Sequence, residues 1–500
     1  MLKYAQSTQF QSGKLGFRKF QYLSDVDYLS VGGTEFKPPI HLLLLADDRH
    51  PANVVQDHIR SIKGLTRNKI TIANPRYLSN PGLLSADCFD AILIHYSIFI
   101  LADTYLPIVW QSFLINFSGP KVIIREDEYQ QVNRFKQKIL ELGIDVVLSP
   151  LDSPKTLECV YGGEPLSKTI FFSCLPGYIA EKYHEFVPPP IAQRPLDIVY
   201  RGRSLPEQLG RHAQDKKKIG DQILALAAEY ELKVDISSNE TDRIYGDAWP
   251  RFLMSGRAML GVEGGASIFD FDGQLANAVK DYKFAHPNAD FEEVWSEVLS
   301  AHEANVDFRT ITPKFFEAIA TKTALILYPG KYNGILHPHR HYIPLERDGS
   351  NIKEVVAKLR DESYLQELVD RTYEEILFRD DLSTQFYVSR VDLVLSHVKE
   401  NFDKAPGHSS KFLLQQELVS IRQGIASTQL ALAFVQQELV STQQELVLTQ
   451  QELVSTQQEL AELANRCGKL EGLLVSEKHL SVLIAKAIAR RIRRLSKHLF

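Results

Sequence analysis

The chain has 500 residues, of which 44% are hydrophobic and 24% charged, with a formal net charge of −5. This is the composition of a globular protein with room for more than one core, and it excludes a disordered chain or a general polyanion binder. The four cysteines form no Cys-x-x-Cys pair, which favours free thiols in a reducing compartment. Residues 1–19 lack the apolar core of a signal peptide, so we expect a cytoplasmic protein.

A mixed lead-in over residues 1–37 is followed by short apolar runs that alternate with helix-compatible segments. The runs are Ile40–Leu45, Lys69–Ala73, Ala91–His95, Lys121–Ile124 and Asp145–Leu148. Continuous apolar strands that alternate with helices are typical of a parallel sheet covered on both faces. We therefore predict an α/β fold whose first part, residues 38–190, is a Rossmann-like lobe.

A proline cluster, Val187–Pro190 with Pro195, breaks this pattern before a second α/β pattern begins at Asp197–Tyr200. Proline can continue neither a helix nor a central strand, so the cluster predicts an interdomain linker. Apolar strands and helical periods then continue to about residue 400. The sequence thus predicts a second Rossmann-like lobe over residues 191–400 and a further linker over residues 401–411.

A seven-residue repeat fills residues 412–475 and is clearest in Ser441–Val447 and Leu448–Val454. In one register every position a from Leu418 to Leu460 is leucine or isoleucine, whereas position d is threonine in the middle of the repeat. A sustained repeat of this period supercoils helices around one another, so we predict a modestly stable homo-oligomeric coiled coil. The alternative is a solvated helix that pairs with nothing.

The last segment, residues 476–500, combines an apolar stripe at helical spacing with seven basic residues. They are Lys478, Lys486, Arg490, Arg491, Arg493, Arg494 and Lys497. Such an amphipathic helix suits an anionic bilayer surface, and we expect residues 477–500 to hold the protein at the inner face of the cell membrane. Docking in an acidic groove of a partner is the alternative. Nucleic acid is not expected as a partner, because no stacking aromatics accompany the charges.

Basic residues follow the first strand of the second lobe, where two Rossmann-like lobes would place a ligand. They are Arg201 and Arg203, with Lys216–Lys218 before a predicted helix. Arginine and lysine both recognise phosphate, and they could stabilise a diphosphate leaving group. The alternative is that these residues are simply solvated.

Several segments in both lobes form a recognisable sequence pattern when they are taken together. They are Ala52–Ile59, Asp127–Tyr129, Asp197–Arg203, Asp242–Gly246, Gly261–Ser267, Asp270–Gly273, Pro313–Ala318, Lys331–Leu336 and His341–Leu345. Together they resemble the group 1 glycosyltransferases of bacterial surface-polysaccharide synthesis, which have the two-lobed GT-B fold. The resemblance covers about residues 38–400. It implies a first lobe for a glycan or lipid-linked acceptor, a second lobe for a nucleotide-sugar donor, and no cofactor or bound metal.

The resemblance also implies roles for individual donor-side residues. Arg203 and Lys218 would hold the donor diphosphate, and Glu317 would bind the ribose, although a carboxylate at a helix start is also favoured by the helix dipole alone. Tyr332 and Gly334 would lie in the loop that faces the donor.

The family often carries a second glutamate eight residues before the ribose-binding one, and this chain has Arg309 there. We expect Glu263 to take its catalytic role, with residues 268–308 as an insertion. Whether the sugar's configuration is retained or inverted stays open.

Four further residues near predicted strand ends, or on the helix after the first strand, are candidates for the acceptor side. They are His58, His95, Asp127 and Glu128. Each could act as a general base or orient the acceptor hydroxyl, and each could equally serve as a local cap or core hydrogen-bond partner.

The expected function is transfer of a sugar from a nucleotide-sugar donor to a lipid-linked or growing polysaccharide at the cytoplasmic face of the inner membrane. The rival is a non-catalytic coiled-coil scaffold with a degenerate transferase body, which Arg309 favours. In a third hypothesis the heptad rod sets the distance between the active site and the membrane.

Overall fold

The computed structural model describes residues 21–23, 38–163, 166–404, 458 and 477–495. Contacts within the chain divide it into two units, residues 1–405 and 406–500. The predicted coiled coil lies outside the described residues, apart from Gln458. Within the described ranges, no helix is both long and apolar enough to cross a bilayer.

The first lobe is built on a seven-stranded parallel sheet in the order β1-β7-β6-β5-β4-β2-β3. In chain order its elements are β1 Gln21–Leu23, β2 His41–Leu45, α1 Asn53–Leu65, β3 Lys69–Ala73, β4 Ala91–Ile94, α2 Ile108–Asn116, β5 Lys121–Ile124, α3 Val132–Leu142, β6 Val146–Ser149, α4 Pro154–Tyr161 and β7 Ile170–Ser173. The central strands are buried along their whole length, because both faces of the sheet are covered.

The second lobe contains a five-stranded parallel sheet in the order β14-β13-β10-β8-β9 and a separate antiparallel pair, β11-β12. Its elements are β8 Leu196–Arg201, α5 Arg211–Ala227, β9 Val234–Ser237, α6 Ala248–Ser255, β10 Gly256–Gly261, β11 Gly264–Ala266, α7 Gln274–Ala285, α8 Phe291–Val294, β12 Phe308–Thr310, α9 Pro313–Ala320, β13 Ala324–Leu327, β14 Ile343–Pro344, α10 Ile352–Arg360 and α11 Glu362–Thr372. The predicted two-sheet α/β architecture is therefore present.

The next helix, α12 Thr384–Lys404, follows the second lobe in sequence but packs on the first. Its residues Tyr387, Val391 and Val394 belong to the same buried cluster as Leu42 of β2. The sequence places residues up to 400 in the second lobe, and the structure differs here. The reason is that the apolar stripe of α12 is complementary to the first sheet.

The segment between β11 and β12 is a further connection between the lobes. Phe269 and Phe308 join the hydrophobic core of the first lobe. The backbone N–H of Asp270 donates to the Tyr129 carbonyl at 2.9 Å, and that of Asn133 donates to the Phe271 carbonyl at 2.9 Å. The insertion expected over residues 268–308 thus bonds directly to the loop and helix after β5.

The final described helix, α13 Glu477–Leu495, belongs to the second unit. Positions on a helix advance by about 100° per residue. Lys486, Arg490 and Arg494 therefore share one side of α13, and Ile488 and Ile492 share the other.

Candidate functional site

A cavity of about 260 Å³ lies between the start of α1 and the second lobe. Its first-lobe wall is Ala52–Val54, and the Asn53 side-chain amide donates to the Gly246 carbonyl of the second lobe at 2.8 Å. The second-lobe wall consists of Arg201, Gly202, Arg203, Lys216, Arg243, Ile244, Tyr245, Trp249, Thr312, Pro313, Lys314 and Glu317. The cavity thus has the position expected for a ligand between two parallel-sheet lobes, beyond the carboxyl ends of their strands.

Gly202 allows the chain to leave β8 close to α5. A Cβ atom at this position would lie 2.7 Å from the Tyr200 ring and 2.9 Å from the Lys216 carbonyl oxygen. Any side chain here would force the two elements apart. The close approach brings Lys216 of α5 to the end of β8.

The cavity wall is strongly cationic. The Lys314 ammonium donates to the Arg201 carbonyl at 3.2 Å, and burial, followed by the charge of Lys216, lowers the pKa of Lys314 to about 8. Burial also lowers the pKa of Lys216, an effect that the carboxylate of Asp127 opposes and Arg203 reinforces. Grouped, partly desolvated cations of this kind favour an anionic ligand.

Arg201 is held in place by its own partners. Its Nε donates to the Asp242 carbonyl at 2.9 Å, its Nη1 lies 2.8 Å from an Asp235 carboxylate oxygen, and its guanidinium stacks 4.4 Å from the Phe252 ring centroid. Arg203 is exposed at the mouth of the cavity. Arg201 therefore contributes a fixed charge, whereas Arg203 can reach a ligand.

Helix α9 points its N-terminus into the cavity. It begins at Pro313, and the hydroxyl oxygen of Thr312, the residue before it, is buried without a hydrogen-bond partner among the described residues. The partial positive charge of a helix N-terminus attracts phosphate and carboxylate groups. Lys314 in the first turn adds a full positive charge at the same end.

Glu317 lies one turn after Lys314 on the same face of α9. Its carboxylate accepts hydrogen bonds from Trp249 Nε1 at 2.7 Å and from the Tyr183 hydroxyl at 3.3 Å. Burial raises the pKa of Glu317, while Trp249 and Lys314 oppose that rise. The structure therefore orients a carboxylate beside the cationic end of the cavity.

Lys218 lies outside this cavity. On α5 it is about 200° from Lys216, because two residues advance a helix by about that angle. Its ammonium lies 3.3 Å from Glu292 Oε1 and 5.4 Å from the Phe291 ring centroid. The sequence places Lys216–Lys218 before the start of a helix, whereas α5 already begins at Arg211. A helix that begins at Arg211 directs the side chains of Lys216 and Lys218 to different sides.

Glu263, Tyr332 and Gly334 do not line the cavity either. The buried Glu263 carboxylate accepts from the backbone N–H groups of Lys331 at 3.1 Å and Tyr332 at 2.7 Å. Tyr332 is fully buried and donates its hydroxyl to the Tyr328 carbonyl at 2.6 Å, while Gly334 is exposed. These residues shape the loop after β13. Arg309 on β12 bonds to Asp307 at 2.9 Å.

The two predicted acceptor-side histidines form a pair. His58 Nδ1 lies 2.8 Å from His95 Nε2, and His95 Nδ1 accepts the backbone N–H of Ser97 at 3.1 Å. Burial lowers the pKa of His58 to about 4 and also lowers that of His95, so both rings are neutral at physiological pH. Because His95 Nδ1 accepts, its Nε2 carries the proton and donates to His58, which leaves the His58 proton on Nε2.

Asp127 and Glu128 have different surroundings. Asp127 is exposed and accepts from the Tyr129 hydroxyl at 2.6 Å. Glu128 is buried, accepts from the Ser149 hydroxyl at 2.9 Å, and has a pKa that burial raises to about 7. The sequence does not distinguish their neighbour Glu126, which burial and the charge of Asp127 leave with a raised pKa. The difference in surroundings among these three carboxylates is visible only in the folded structure.

No group of three or more histidine, cysteine, aspartate or glutamate side chains is arranged for a metal ion within the described ranges. The predicted substrate and catalytic residues thus separate into cavity residues (Arg201, Arg203 and Glu317), first-lobe residues beside α1 and β5 (His58, His95, Asp127 and Glu128) and residues elsewhere in the second lobe (Lys218, Glu263, Tyr332 and Gly334). Of the other cavity cations, Lys216 is predicted only as part of the basic run Lys216–Lys218, whereas Arg243 and Lys314 are given no role by the sequence.

No family model and no curated protein matches the chain. Among solved structures, it is similar to an α-glucosyltransferase in complex with UDP, with a TM-score of 0.45 and 8% identity over 71% of this chain and 99% of the other. It is also similar to HepE of Anabaena in complex with UDP and glucose, with a TM-score of 0.40 and 11% identity over 72% of this chain and 100% of the other. An α1,3-fucosyltransferase has a TM-score of 0.34 and 10% identity over 74% of this chain and 93% of the other. At these values the similarity assigns no activity to this chain.

Proposed function

We propose that this chain is a nucleotide-sugar-dependent glycosyltransferase of the GT-B type. The observation that carries the proposal is helix α9, which presents its N-terminus, Lys314 and Glu317 to one cavity between the lobes. A nucleotide sugar has the matching chemistry, since its diphosphate needs positive charge and its ribose diol needs a hydrogen-bond acceptor.

The cavity cations would act on the leaving group. When the bond between the sugar's anomeric carbon and the diphosphate breaks, its electron pair moves to the phosphate oxygen. Lys314, Lys216 and Arg203 would stabilise that charge together with the N-terminus of α9. Trp249 and Tyr183 would keep the Glu317 carboxylate oriented toward the ribose.

The first lobe would supply the acceptor side. Helix α1 carries the neutral, hydrogen-bonding side chain of His58, in contrast to the cationic second-lobe wall. Hydroxyl groups of a sugar are suited to such a surface. We propose a lipid-linked or growing bacterial surface polysaccharide as the acceptor.

Substitution of Lys314 tests the donor site. Lys314→Met removes a charged hydrogen-bond donor of the kind that contributes about 2 kcal/mol, so UDP binding should weaken about 30-fold. The fold should persist, because burial already disfavours the charged lysine. Wild-type affinity for UDP, measured by isothermal titration calorimetry, should also fall as the pH rises through about 8, the pKa of Lys314.

Lys322→Met is the matched control, since Lys322 follows the other end of α9 and pairs with Asp370 at 2.6 Å. It should bind UDP as the wild type does. A panel of radiolabelled UDP- and GDP-sugars then tests turnover. Equal UDP affinity in Lys314→Met and wild type, or no turnover of any nucleotide sugar, would contradict the proposal. The absence of both nucleotide binding and turnover is the result expected of the scaffold alternative.

We further propose that α13 binds an anionic membrane surface and that the heptad segment, residues 412–475, joins copies of the chain into a homo-oligomer. On α13 the basic side of Lys486, Arg490 and Arg494 lies opposite Ile488 and Ile492, whose side chains are 54% and 61% exposed. An apolar stripe beside a cationic side suits the headgroup region of a bilayer. This would place the enzyme on the cytoplasmic face of the inner membrane.

A further inference from the structure

Arginine and aromatic side chains form an exposed surface beyond the carboxyl ends of β4, β2 and β3, which are neighbours in the first sheet. The members of this arginine–aromatic surface are Arg49, Arg76, Tyr77, Phe99 and Tyr105. Tyr77 is 54% exposed and Phe99 is 40% exposed. Single exposed rings are common on proteins, but a contiguous exposed group at the ligand-binding edge of a parallel sheet indicates an interaction site.

Direct contacts join the five side chains. The Arg49 guanidinium lies 4.5 Å from the centroid of the Tyr77 ring. The Arg76 guanidinium lies 5.8 Å from the same centroid and 4.4 Å from that of Tyr105. Phe99 packs edge-on against Tyr105, with 6.4 Å between the ring centroids. Because the rings hold both guanidinium groups in place, a ligand of these arginines would lose less side-chain entropy on binding.

The two arginines differ in how their charge is neutralised. Asp47, which is buried, pairs with Arg76 at 2.5 Å. The Asn74 amide donates to Asp47 and to the exposed Asp48, at 2.9 Å in both cases. Arg49 forms no salt bridge with a residue of the described ranges, and its guanidinium contacts a ring instead. It can therefore pair with an anionic group of a ligand, and a guanidinium binds carboxylate or phosphate with two parallel hydrogen bonds.

The arginine–aromatic surface adjoins the donor cavity along the chain. Arg49 precedes Ala52 of the cavity wall by three residues, so their Cα atoms are at most roughly 11 Å apart. His50 fixes the loop between them. Its Nδ1 accepts the backbone N–H of Ala52 at 3.1 Å, and its carbonyl accepts the Gln56 amide at 3.0 Å. A chain-like ligand on this surface can thus extend to the mouth of the cavity.

We propose that the arginine–aromatic surface binds the acceptor glycan through a sugar that carries a carboxylate or phosphate group. The proposal rests on the glycosyltransferase function proposed above and adds that the acceptor is acidic. Arg49 would pair with the anionic group, while the exposed parts of Tyr77 and Phe99 would contact the C–H groups of the sugar ring. This binding step is the same whether the configuration of the transferred sugar is retained or inverted.

A nucleic acid is the other anionic chain that arginines and aromatic rings bind. It would require cations for a series of phosphates along its backbone. On this surface Asp47 neutralises Arg76, and Asp48 adds a further negative charge nearby. One free guanidinium matches a single charged sugar better than it matches a polynucleotide.

Isothermal titration calorimetry of the full-length protein with three probes tests the proposal. Tetraglucuronic acid supplies carboxylates, cellotetraose phosphorylated on its primary hydroxyl groups supplies phosphates, and cellotetraose is neutral. All three share the same β-linked backbone, so they differ only in charge. At least one acidic probe should bind about tenfold more tightly than cellotetraose, and the tighter of the two identifies the anionic group.

Three variants then locate the binding. Arg49→Gln should weaken binding of the acidic probe about tenfold, the loss expected for one hydrogen bond to a charged group, and change cellotetraose binding less than about twofold. Tyr77→Leu keeps every charge but removes the ring that orders Arg49, so it should weaken the acidic probe about threefold. Arg60→Gln on α1, whose side chain is 72% exposed, is the matched control and should bind as the wild type does. Arg76 is left in place, because its loss would leave the buried Asp47 unpaired.

Equal binding of acidic and neutral probes by the wild type, or no binding of any probe, would overturn the proposal. Equal weakening in Arg49→Gln and Arg60→Gln, or wild-type affinity in Tyr77→Leu, would reduce it to an effect of net charge and overturn it as well. If oligothymidylate bound more tightly than both acidic probes, and Arg49→Gln abolished this, the surface would be one for nucleic acid.

Measurement of UDP affinity separates this proposal from the proposed function. Arg49 does not line the donor cavity, so Arg49→Gln should bind UDP as the wild type does. UDP binding and sugar transfer by a wild type that ignores the charge of the probes would overturn the acidic acceptor alone. Arg49-dependent binding of an acidic probe by a protein that binds no UDP would overturn the transferase function and leave a glycan-binding surface.

Discussion

The three consecutive carboxylates after β5 differ in burial and in hydrogen-bond partners, although they are neighbours in the sequence. Glu128 enters the first-lobe core, where Ser149 donates to it, whereas Asp127 is exposed and bonds to Tyr129. Glu126 lies between these extremes. This run of three acidic residues thus contains a buried, an exposed and a half-buried side chain.

Because Glu128 is buried, we expect the protein's free energy of unfolding to decrease as the pH rises. Its pKa is raised from the ordinary value of 4.5 to about 7. Between these values the folded state holds a proton that the unfolded state has lost, so the free energy of unfolding decreases as the pH rises. Over that window the loss is about 3 kcal/mol.

Glu128→Gln should abolish this loss. Urea unfolding at about pH 5 and about pH 8.5 should show the variant gaining about 2.5 kcal/mol relative to the wild type across the interval. The exposed Glu141→Gln should follow the wild type at both values. If the free energy of unfolding changed equally with pH in Glu128→Gln and the wild type, protonation of the Glu128 carboxyl would not contribute to stability.

At the scale of elements, α12 is fastened to the first lobe by a buried carboxylate. Asp392 is 6% exposed and accepts hydrogen bonds from the Thr66 hydroxyl at 2.5 Å, the Arg67 backbone N–H at 3.0 Å and the Asn68 amide at 2.8 Å. These donors occupy the turn between α1 and β3. One side chain on α12 therefore accepts the hydrogen bonds that the turn after α1 donates.

Asp392→Ala should destabilise the protein by about 3 kcal/mol, because it leaves several buried donors unpaired. The midpoint of urea unfolding, measured by circular dichroism, should fall accordingly. Ser389→Ala on the exposed side of α12 should change stability by less than about 0.5 kcal/mol. A similarly small effect of both substitutions would mean that α12 is not fastened by Asp392.

Much of the sheet content follows from the sequence, because central parallel strands are continuous apolar runs. β3 Lys69–Ala73 and β5 Lys121–Ile124 agree with prediction residue for residue. The helical periods that continue to about residue 400 predict helices, but not which sheet each helix covers. That choice depends on tertiary packing, which a local pattern does not encode.

The donor site was predictable in part for a related reason. Arg201 ends β8 and Arg203 follows it, and an apolar strand such as β8 is recognisable in the sequence, whereas the role of Glu317 comes from the family resemblance. Lys216 and Lys218 instead differ only in the direction in which their side chains leave α5. A prediction that starts this helix at the wrong residue therefore assigns the wrong lysine to the donor site. Lys314 is recognisable only once α9 is known to face the cavity.

At the scale of the whole molecule, a body with two α/β sheets is combined in one chain with the basic helix α13. Full-length protein should bind vesicles that contain about one third anionic phosphatidylglycerol, and not vesicles of phosphatidylcholine alone. Replacing Arg490 and Arg494 with glutamine should weaken this binding about 30-fold, since each basic residue contributes about 1 kcal/mol near an anionic surface.

Replacement of Lys353 and Lys358 with glutamine makes the same change of charge on α10 in the other unit and should leave vesicle binding unchanged. Flotation with the vesicles measures both variants. Equal loss in the two would indicate a nonspecific effect of net charge, and no loss in either would exclude α13 as the attachment site.

The return of α12 to the first lobe also has a consequence for synthesis on the ribosome. β7 completes the first sheet at Ser173, but the helix that covers part of that sheet begins only at Thr384. On the order of 200 residues must be translated between them, which takes roughly 10 to 40 s at typical elongation rates. During that interval α1 alone covers the apolar side that includes Leu42 and Leu93, and the part of the cover that α12 supplies is still missing, so we expect the first half of the nascent chain to expose apolar surface until α12 is made.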